Sequence, residues 1–260
     1  MAIGLGASLN TVRDVKLARA VTSGLVLKSN LDTGAVTPIS DGSASFDGTD
    51  DYITIADNSN LSFGDSSNDS AFSISAWINM TDATDFAIIN KGVYNTSAEW
   101  HLRTNSSDKL VFALYDESVS STHESIISAN AITSYEGEWI HIACTYTGVG
   151  GTSANGGSTM YLNGVDIGVD LSGAGTYVAM ENLAAAVTIG TADAAGAKWA
   201  DGYICNVGIW SAVLTAAQIK SIMYKNYSGL TSSETTNLVS WWNLSADAND
   251  NHGSNNGTLS

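Results

Sequence analysis

Phe72-Ser-Ile-Ser-Ala-Trp-Ile-Asn79 alternates with period two: Phe72, Ile74, Ala76 and Ile78 fall on one face of an extended chain, Ser73, Ser75 and Trp77 on the other. An amphipathic helix would need a period of about 3.6 residues, so the stretch reads as a strand with one buried face. The same alternation returns in Trp139-Ile-His-Ile-Ala-Cys-Thr-Tyr146 and in Tyr203-Ile-Cys-Asn-Val-Gly-Ile-Trp210. Cys144 and Cys205 stand in line with apolar neighbours there and read as buried thiols, because two cysteines without metal-ligand spacing make no disulfide scaffold. Shorter strands are expected at Ser43–Asp47, Tyr52–Ile55, Phe86–Asn90, Trp100–Thr104, Leu110–Tyr115, Thr159–Leu162 and Val187–Ile189. Asn105-Ser-Ser-Asp108 and Asn163-Gly164 supply turn signals between them. One helix is expected from Thr215, an N-cap residue, with Ile219, Ile222 and Met223 at helical spacing and Lys220 and Lys225 towards its C-terminal end. About ten short strands with one late helix predict an all-β, antiparallel two-sheet sandwich.

Composition agrees with that reading. Of 260 residues, 44% are hydrophobic and 14% charged, which is enough apolar material for one large core and too little charge for disorder. Twenty-five glycines and a single proline, Pro38, punctuate the apolar runs. A net charge of −16 makes nucleic acid and anionic membrane poor partners and cations better ones. No membrane span and no secretion signal are expected, since apolar residues nowhere run on for about 18 positions. Charge is unevenly placed: residues 1–31 carry Arg13, Lys16, Arg19 and Lys28 against Asp14 alone. That basic arm is expected to dock on a neighbouring subunit or a larger assembly, or else to lie on its own domain.

Six phrases then occur in an order that resembles laminin-G-like, concanavalin A-like jelly-roll domains. They are Gly42-Ser-Ala-Ser-Phe-Asp-Gly-Thr-Asp-Asp-Tyr-Ile53, Phe72-Ser-Ile-Ser-Ala-Trp77, Glu138-Trp-Ile-His-Ile-Ala143, Met160-Tyr-Leu-Asn-Gly164, Val187-Thr-Ile-Gly190, and Asp201-Gly-Tyr-Ile204 through Leu214-Thr-Ala-Ala-Gln-Ile219. The resemblance covers roughly residues 42–223 and implies a jelly roll of two antiparallel sheets, one of them concave, with a binding edge made by loops. Asn237-Leu-Val-Ser-Trp-Trp-Asn-Leu244 and Gly253-Ser-Asn-Asn-Gly-Thr-Leu259 resemble the opening segment of such a domain, yet they come last. They are either a displaced strand or the stub of a second repeat. The first is favoured, because an unpaired strand with two Trp would be costly to expose. The expected organisation is an arm at 1–31, a sandwich at 32–236 and a completing segment at 237–260.

No enzyme is expected. Glucanases of this fold need paired carboxylates, and the Glu-x-Asp-x-x-Glu run that the resemblance implies for them does not occur. Glu136 and Glu138 read as solvated turn residues, and the four histidines are scattered. A metal is the better chemical expectation. Asp47-Gly-Thr-Asp-Asp51 gathers three carboxylates and the Gly48 carbonyl in one turn, a hard-oxygen setting suited to Ca²⁺. Asp47, Gly48, Asp50, Asp51 and Asp201 are therefore the expected ligands. The resemblance implies one more Asp in the late strand, where this sequence has Cys205 instead, so any site is expected to be weak. For glycans, aromatic rings that stack on sugars and amides or carboxylates that meet hydroxyls point to Tyr94, Trp100 and Trp199 with Asn90, Asn95, Asp193 and Asp201.

The Gly-, Ser-, Asn- and Thr-rich, Lys-poor composition resembles that of phage structural proteins carrying such domains. The functional expectation is a non-catalytic virion surface protein, a capsid decoration or a tail-fibre or spike component. Its partners would be other virion proteins, further copies of itself as a homo-oligomer, and host cell-surface glycans. An extracellular carbohydrate-binding adhesin is the alternative, and a glycoside hydrolase is a distant third.

Overall fold

The computed structural model describes residues 37–119, 122–192 and 198–260; the basic arm at 1–31 lies outside the described residues. Among the described residues fifteen strands and one α-helix follow one another. The strands are β1 (Ala44–Asp47), β2 (Ile53–Ile55), β3 (Phe72–Met80), β4 (Ala87–Lys91), β5 (Trp100–Thr104), β6 (Leu110–Asp116), β7 (Thr122–Ser128), β8 (Trp139–Tyr146), β9 (Ser158–Leu162), β10 (Val165–Asp166), β11 (Val169–Ala174), β12 (Val187–Ile189) and β13 (Asp201–Trp210). Helix α1 (Ala216–Ile222) comes next, followed by β14 (Leu238–Trp242) and β15 (Gly257–Leu259). No helix among the described residues is long and apolar enough to cross a membrane.

The strands form two antiparallel sheets. The seven-stranded sheet runs β1-β13-β3-β8-β9-β10, with β14 also paired to β13; the eight-stranded sheet runs β11-β7-β6-β5-β4-β12-β2-β15. Phe72, Ile74, Ala76 and Ile78 face the space between the sheets and meet Leu102, Phe112, Leu114 and Ile126 of the opposite sheet in one core. Cys144 belongs to that core. The fold is thus the two-sheet sandwich that the alternation predicts, with a single short helix.

The outer face of β3 is covered as well. Ser73, Ser75 and Trp77 are all buried, and the indole nitrogen of Trp77 donates to the carbonyl of Met223, just past α1, at 3.0 Å. Cys205 and Met223 pack with Trp77 there. Beside them Ile219 and Ile222 of α1 close on Trp210, Leu238 and Trp241. The helix is anchored at its start by a reciprocal cap: the Thr215 hydroxyl accepts from the backbone of Gln218, and the Gln218 side chain accepts from the backbone of Thr215.

Residues 237–260 supply a strand to each sheet. β14 pairs with the second half of β13, and β15 pairs with β2. The two adjacent tryptophans point opposite ways, as strand geometry requires. Trp242 enters the main core and Trp241 the cluster under the helix.

Three strands escaped the sequence reading, the two-residue β10 among them. β7, Thr-His-Glu-Ser-Ile-Ile-Ser, has too few apolar residues to show a period, and the edge strand β11, Val-Asp-Leu-Ser-Gly-Ala, is half-buried to exposed throughout.

Candidate functional site

Away from the core, no helix among the described residues covers the eight-stranded sheet. Alternation along β5 sends Trp100 and Leu102 inward, which leaves His101 and Arg103 on the outer face. The register sets His101 beside Asn90 of β4 and Ala113 of β6, and Tyr115 beside His123 of β7. The connection after β4 folds over this face: its Ala98 packs against Val111, Ala113 and Tyr115. Gly92 opens that connection with φ +82, and a Cβ there would run into the carbonyl of Ser97, so glycine is what lets the loop turn back so tightly. Asn90 ties the walls together, donating to the carbonyls of Gly92 (2.9 Å) and Ala192 (3.4 Å). The result is a cavity of about 470 Å³ lined by Asn90, Tyr94, His101, Arg103, Tyr115, His123 and Lys198 among others.

Its chemistry combines rings and cations. Tyr94 and Tyr115 meet edge to face with centroids 5.5 Å apart, and Tyr115 also contacts the rings of His101 and His123. The Tyr115 hydroxyl and His101 Nδ1 are 2.9 Å apart. Burial, reinforced by the charge of Arg103, pushes the His101 imidazole well below its usual range, so it is neutral. Burial likewise raises the Tyr115 phenol, which stays protonated. Arg103 Nη1 and Lys198 Nζ share one carboxylate oxygen of Asp85, at 3.4 and 3.2 Å.

Beneath the cavity Lys91 is fully buried. Its ammonium donates to Asp57 and to the carbonyl of Ala185, both at 2.6 Å, and lies 3.5 Å from Glu99. Glu99 is buried too, and desolvation outweighs Lys91 to raise its carboxyl to about 7.

Of the residues expected to meet a glycan, Tyr94 lies at the cavity, half exposed, and Asn95 follows it on the same loop. Trp100 does not serve as expected. It begins β5, at the position expected for a strand, and is among the residues around the cavity, but its indole is turned into the core, where Nε1 donates to the carbonyl of Leu61 at 3.0 Å. Trp199 is half-buried against Tyr52 (5.8 Å between ring centroids) and does not line the cavity. Asp193 lies outside the described residues. The sequence reading missed His101, Arg103, Tyr115, His123 and Lys198. A signal existed for the first two, since Trp100-His-Leu-Arg-Thr104 places both on its polar face.

The acidic turn sits elsewhere, where the chain passes from β1 to β2 and so from one sheet to the other. Carboxylate oxygens of Asp47, Asp50 and Asp51 lie within 4.8 Å of one another. Asp201 is the register partner of Asp47 and touches Gly48, whose φ is +78. Asp201 thus lies beside the turn, while the carboxylate cluster itself is Asp47, Asp50 and Asp51. The Asp47 carboxylate also has local work, accepting from the backbone of Thr49 (2.9 Å) and Asp50 (3.3 Å). Hydrogen bonding, first from the Thr49 side chain, holds its pKa below the usual value. The oxygen donors suit a hard cation, and they equally make a self-capped turn.

A family model described as the concanavalin A-like lectin/glucanases superfamily, Laminin_G_3, matches residues 47–220. The chain belongs to this superfamily. No curated protein sequence matches it. Among solved structures it is similar to a Bacteroides ovatus protein with a provisional assignment as a carbohydrate binding protein, with a TM-score of 0.55 and 18% identity over 83% of this chain. The match spans 57% of that longer chain. It also resembles the CBM40 of a Ruminococcus gnavus IT-sialidase bound to α2,3-sialyllactose, with a TM-score of 0.47 and 12% identity, covering 70% of this chain and 96% of that one. A Limulus polyphemus SAP-like pentraxin follows, with a TM-score of 0.40 and 18% identity over 67% of this chain and 82% of that one. At these identities the likeness is one of fold.

Within the superfamily frame, two expectations change. Cys205 lies four residues beyond Asp201 along β13, about 13 Å at the rise of a strand, and packs against Trp77 and Met223. It is therefore not a vacancy in the acidic turn, and an Asp in its place would not reach Asp47. Glu136 is not simply solvated: its Oε1 accepts from the backbone of Ala83 at 2.9 Å and so ties down the loop after β3.

Proposed function

We propose that this superfamily member is a non-catalytic binding module that takes sugars in the cavity on the outer face of the eight-stranded sheet. The observation carrying this reading is the cavity itself: Tyr94 and Tyr115 present rings beside Asn90, Arg103, His123 and Lys198, the pairing of flat apolar faces with hydrogen-bonding groups that sugar recognition needs. The described lining residues include no carboxylate, which supports binding rather than glycoside cleavage. Titration of mono- and oligosaccharides by calorimetry or NMR tests it. Binding weakened about tenfold by Tyr94→Ala, whose half-exposed ring contributes little to the core, supports the reading. Unchanged binding in that variant and in Tyr115→Phe would place the sugar elsewhere.

The setting we propose is a virion surface, with the basic arm docking the module on a particle as a homo-oligomer. The Lys-poor, Gly-rich composition supports it. Co-sedimentation with purified particles, lost when residues 1–31 are deleted, is the test; sugar binding without particle association would favour an extracellular adhesin. A weak calcium site at Asp47, Gly48, Asp50, Asp51 and Asp201 completes the proposal, supported by the convergence of the Asp47, Asp50 and Asp51 carboxylates.

A further inference from the structure

We propose that the cavity selects acidic sugars, those bearing a carboxylate, through Arg103 and Lys198; this deepens the sugar-binding reading and rests on it. The chain has 26 Asp and Glu against 10 Lys and Arg, yet the described residues lining the cavity include Lys91, Arg103 and Lys198 and no acid. In so acidic a protein, a neutral ligand gives no reason for that reversal. Lys91 is not available to a ligand, being buried against Asp57, Glu99 and the carbonyl of Ala185. Arg103 and Lys198 are different, with side chains 17% and 31% exposed. They converge on a single oxygen of Asp85, so among the described residues of this cluster two cations are set against one carboxylate.

Asp85 also shows which anion fits, because a planar carboxylate already lies between the guanidinium and the ammonium. A ligand carboxylate entering from the cavity would meet the same two donors. The neutral state of His101 keeps its ring a polar, uncharged wall, while His101, Arg103, Tyr115 and Lys198 line the same cavity. The cationic end and the aromatic end thus belong to one site. A sugar ring stacked near Tyr94 and Tyr115 would direct its acidic substituent towards Arg103 and Lys198.

The test uses matched methyl glycosides, glucuronide with glucoside, galacturonide with galactoside and mannuronide with mannoside, together with N-acetylneuraminic acid and a sulfated galactoside, titrated into the protein by calorimetry. At least one carboxylated sugar should bind about tenfold more tightly than its neutral counterpart. Lys198→Gln should remove that advantage while Asp85 keeps Arg103 paired, and Asp85→Asn should increase it by freeing both donors. Equal or tighter binding of the neutral members overturns this inference and leaves the sugar-binding reading standing. Binding of no sugar overturns both. Preference for the sulfated sugar overturns the carboxylate assignment, and an acidic preference that survives both Lys198→Gln and Arg103→Gln overturns the assignment to these residues.

Discussion

On the seven-stranded sheet the outward side chains of β3, β8 and β13 include Trp77, Ala143, Cys205 and Trp210, and α1 with the residues around it closes over them. On the eight-stranded sheet the outward side chains of β4 to β7 include Asn90, His101, Arg103, Tyr115 and His123, and what stands over them is a cavity. Each side has a Lys–Glu pair, and the two behave oppositely. Near the helix, Lys225 Nζ is 2.6 Å from both oxygens of Glu234, which also accepts from Ser221 Oγ and from the backbone and hydroxyl of Thr231. Burial would raise its pKa, but these hydrogen bonds outweigh it and hold the carboxyl at about 2. Under the cavity, Glu99 is 3.5 Å from Lys91, one of its oxygens lacks a hydrogen-bond partner, and burial wins, at about 7. The covered face is built for stability, whereas the open face keeps charges in a costly state beneath a cavity.

Breaking the covered side should have the largest effect. Trp242→Ala and Trp241→Ala each remove a fully buried indole and should cost about 3–5 kcal/mol by thermal or urea unfolding. Removing residues 238–260 takes a strand from each sheet and should leave no cooperative transition. Tyr94→Ala on the open side should leave the melting temperature nearly unchanged, and a comparable loss there would break the contrast.

The two glutamates sharpen it. Glu234→Gln should cost about 2 kcal/mol at neutral pH, the worth of hydrogen bonds to a charged group. In the wild type that stability is present above about pH 4.5 and lost as pH falls towards about 2, since the folded pKa is depressed from 4.5. Glu99 acts with the opposite sign: its folded pKa is raised from 4.5 to about 7, so stability is highest below pH 4.5 and declines as pH rises to about 7. Glu99→Gln should flatten the slope between pH 4.5 and 7, and urea titrations across pH 2–8 read both windows.

Smaller effects follow. Thr215→Ala removes the cap of the helix that covers the outer face and should cost about 1 kcal/mol. Calcium at its dissociation constant should add only about 0.4 kcal/mol, seen as a melting temperature that rises with millimolar calcium and not in Asp47→Ala. Indifference of the wild type to calcium would leave the turn as a self-capped corner between the sheets.

What the sequence made legible is the part governed by local spacing. Phe72 to Ile78 announces its buried face by period two, and Thr215 with Gln218 announces the start of the helix. Trp77 was harder: its place among serines suggests an exposed ring, and only the arrival of Met223 from far along the chain buries it. The cavity was illegible for the same reason. His101 and Arg103 share a face by alternation, but whether that face or that of Trp100 meets solvent depends on the strands either side. Lys198 reaches Asp85 across 113 residues, a distance at which no motif operates. Rare aromatic residues drew attention to Trp100 and Trp199, whereas the cavity is lined by residues whose types are ordinary and whose convergence is not.

The two strands contributed by residues 238–259 set the timing of folding. β15 completes the edge of β2, and Asn58 bonds to Asn255 across 197 residues. The seven-stranded sheet is complete only once Leu238–Trp242 have been made and the eight-stranded sheet only once Gly257–Leu259 have, so until then the second half of β13 and β2 each keep one edge open. During that interval the nascent chain offers two open edges to its neighbours, and crowding of polysomes or slow translation of residues 238–259 would favour aggregation.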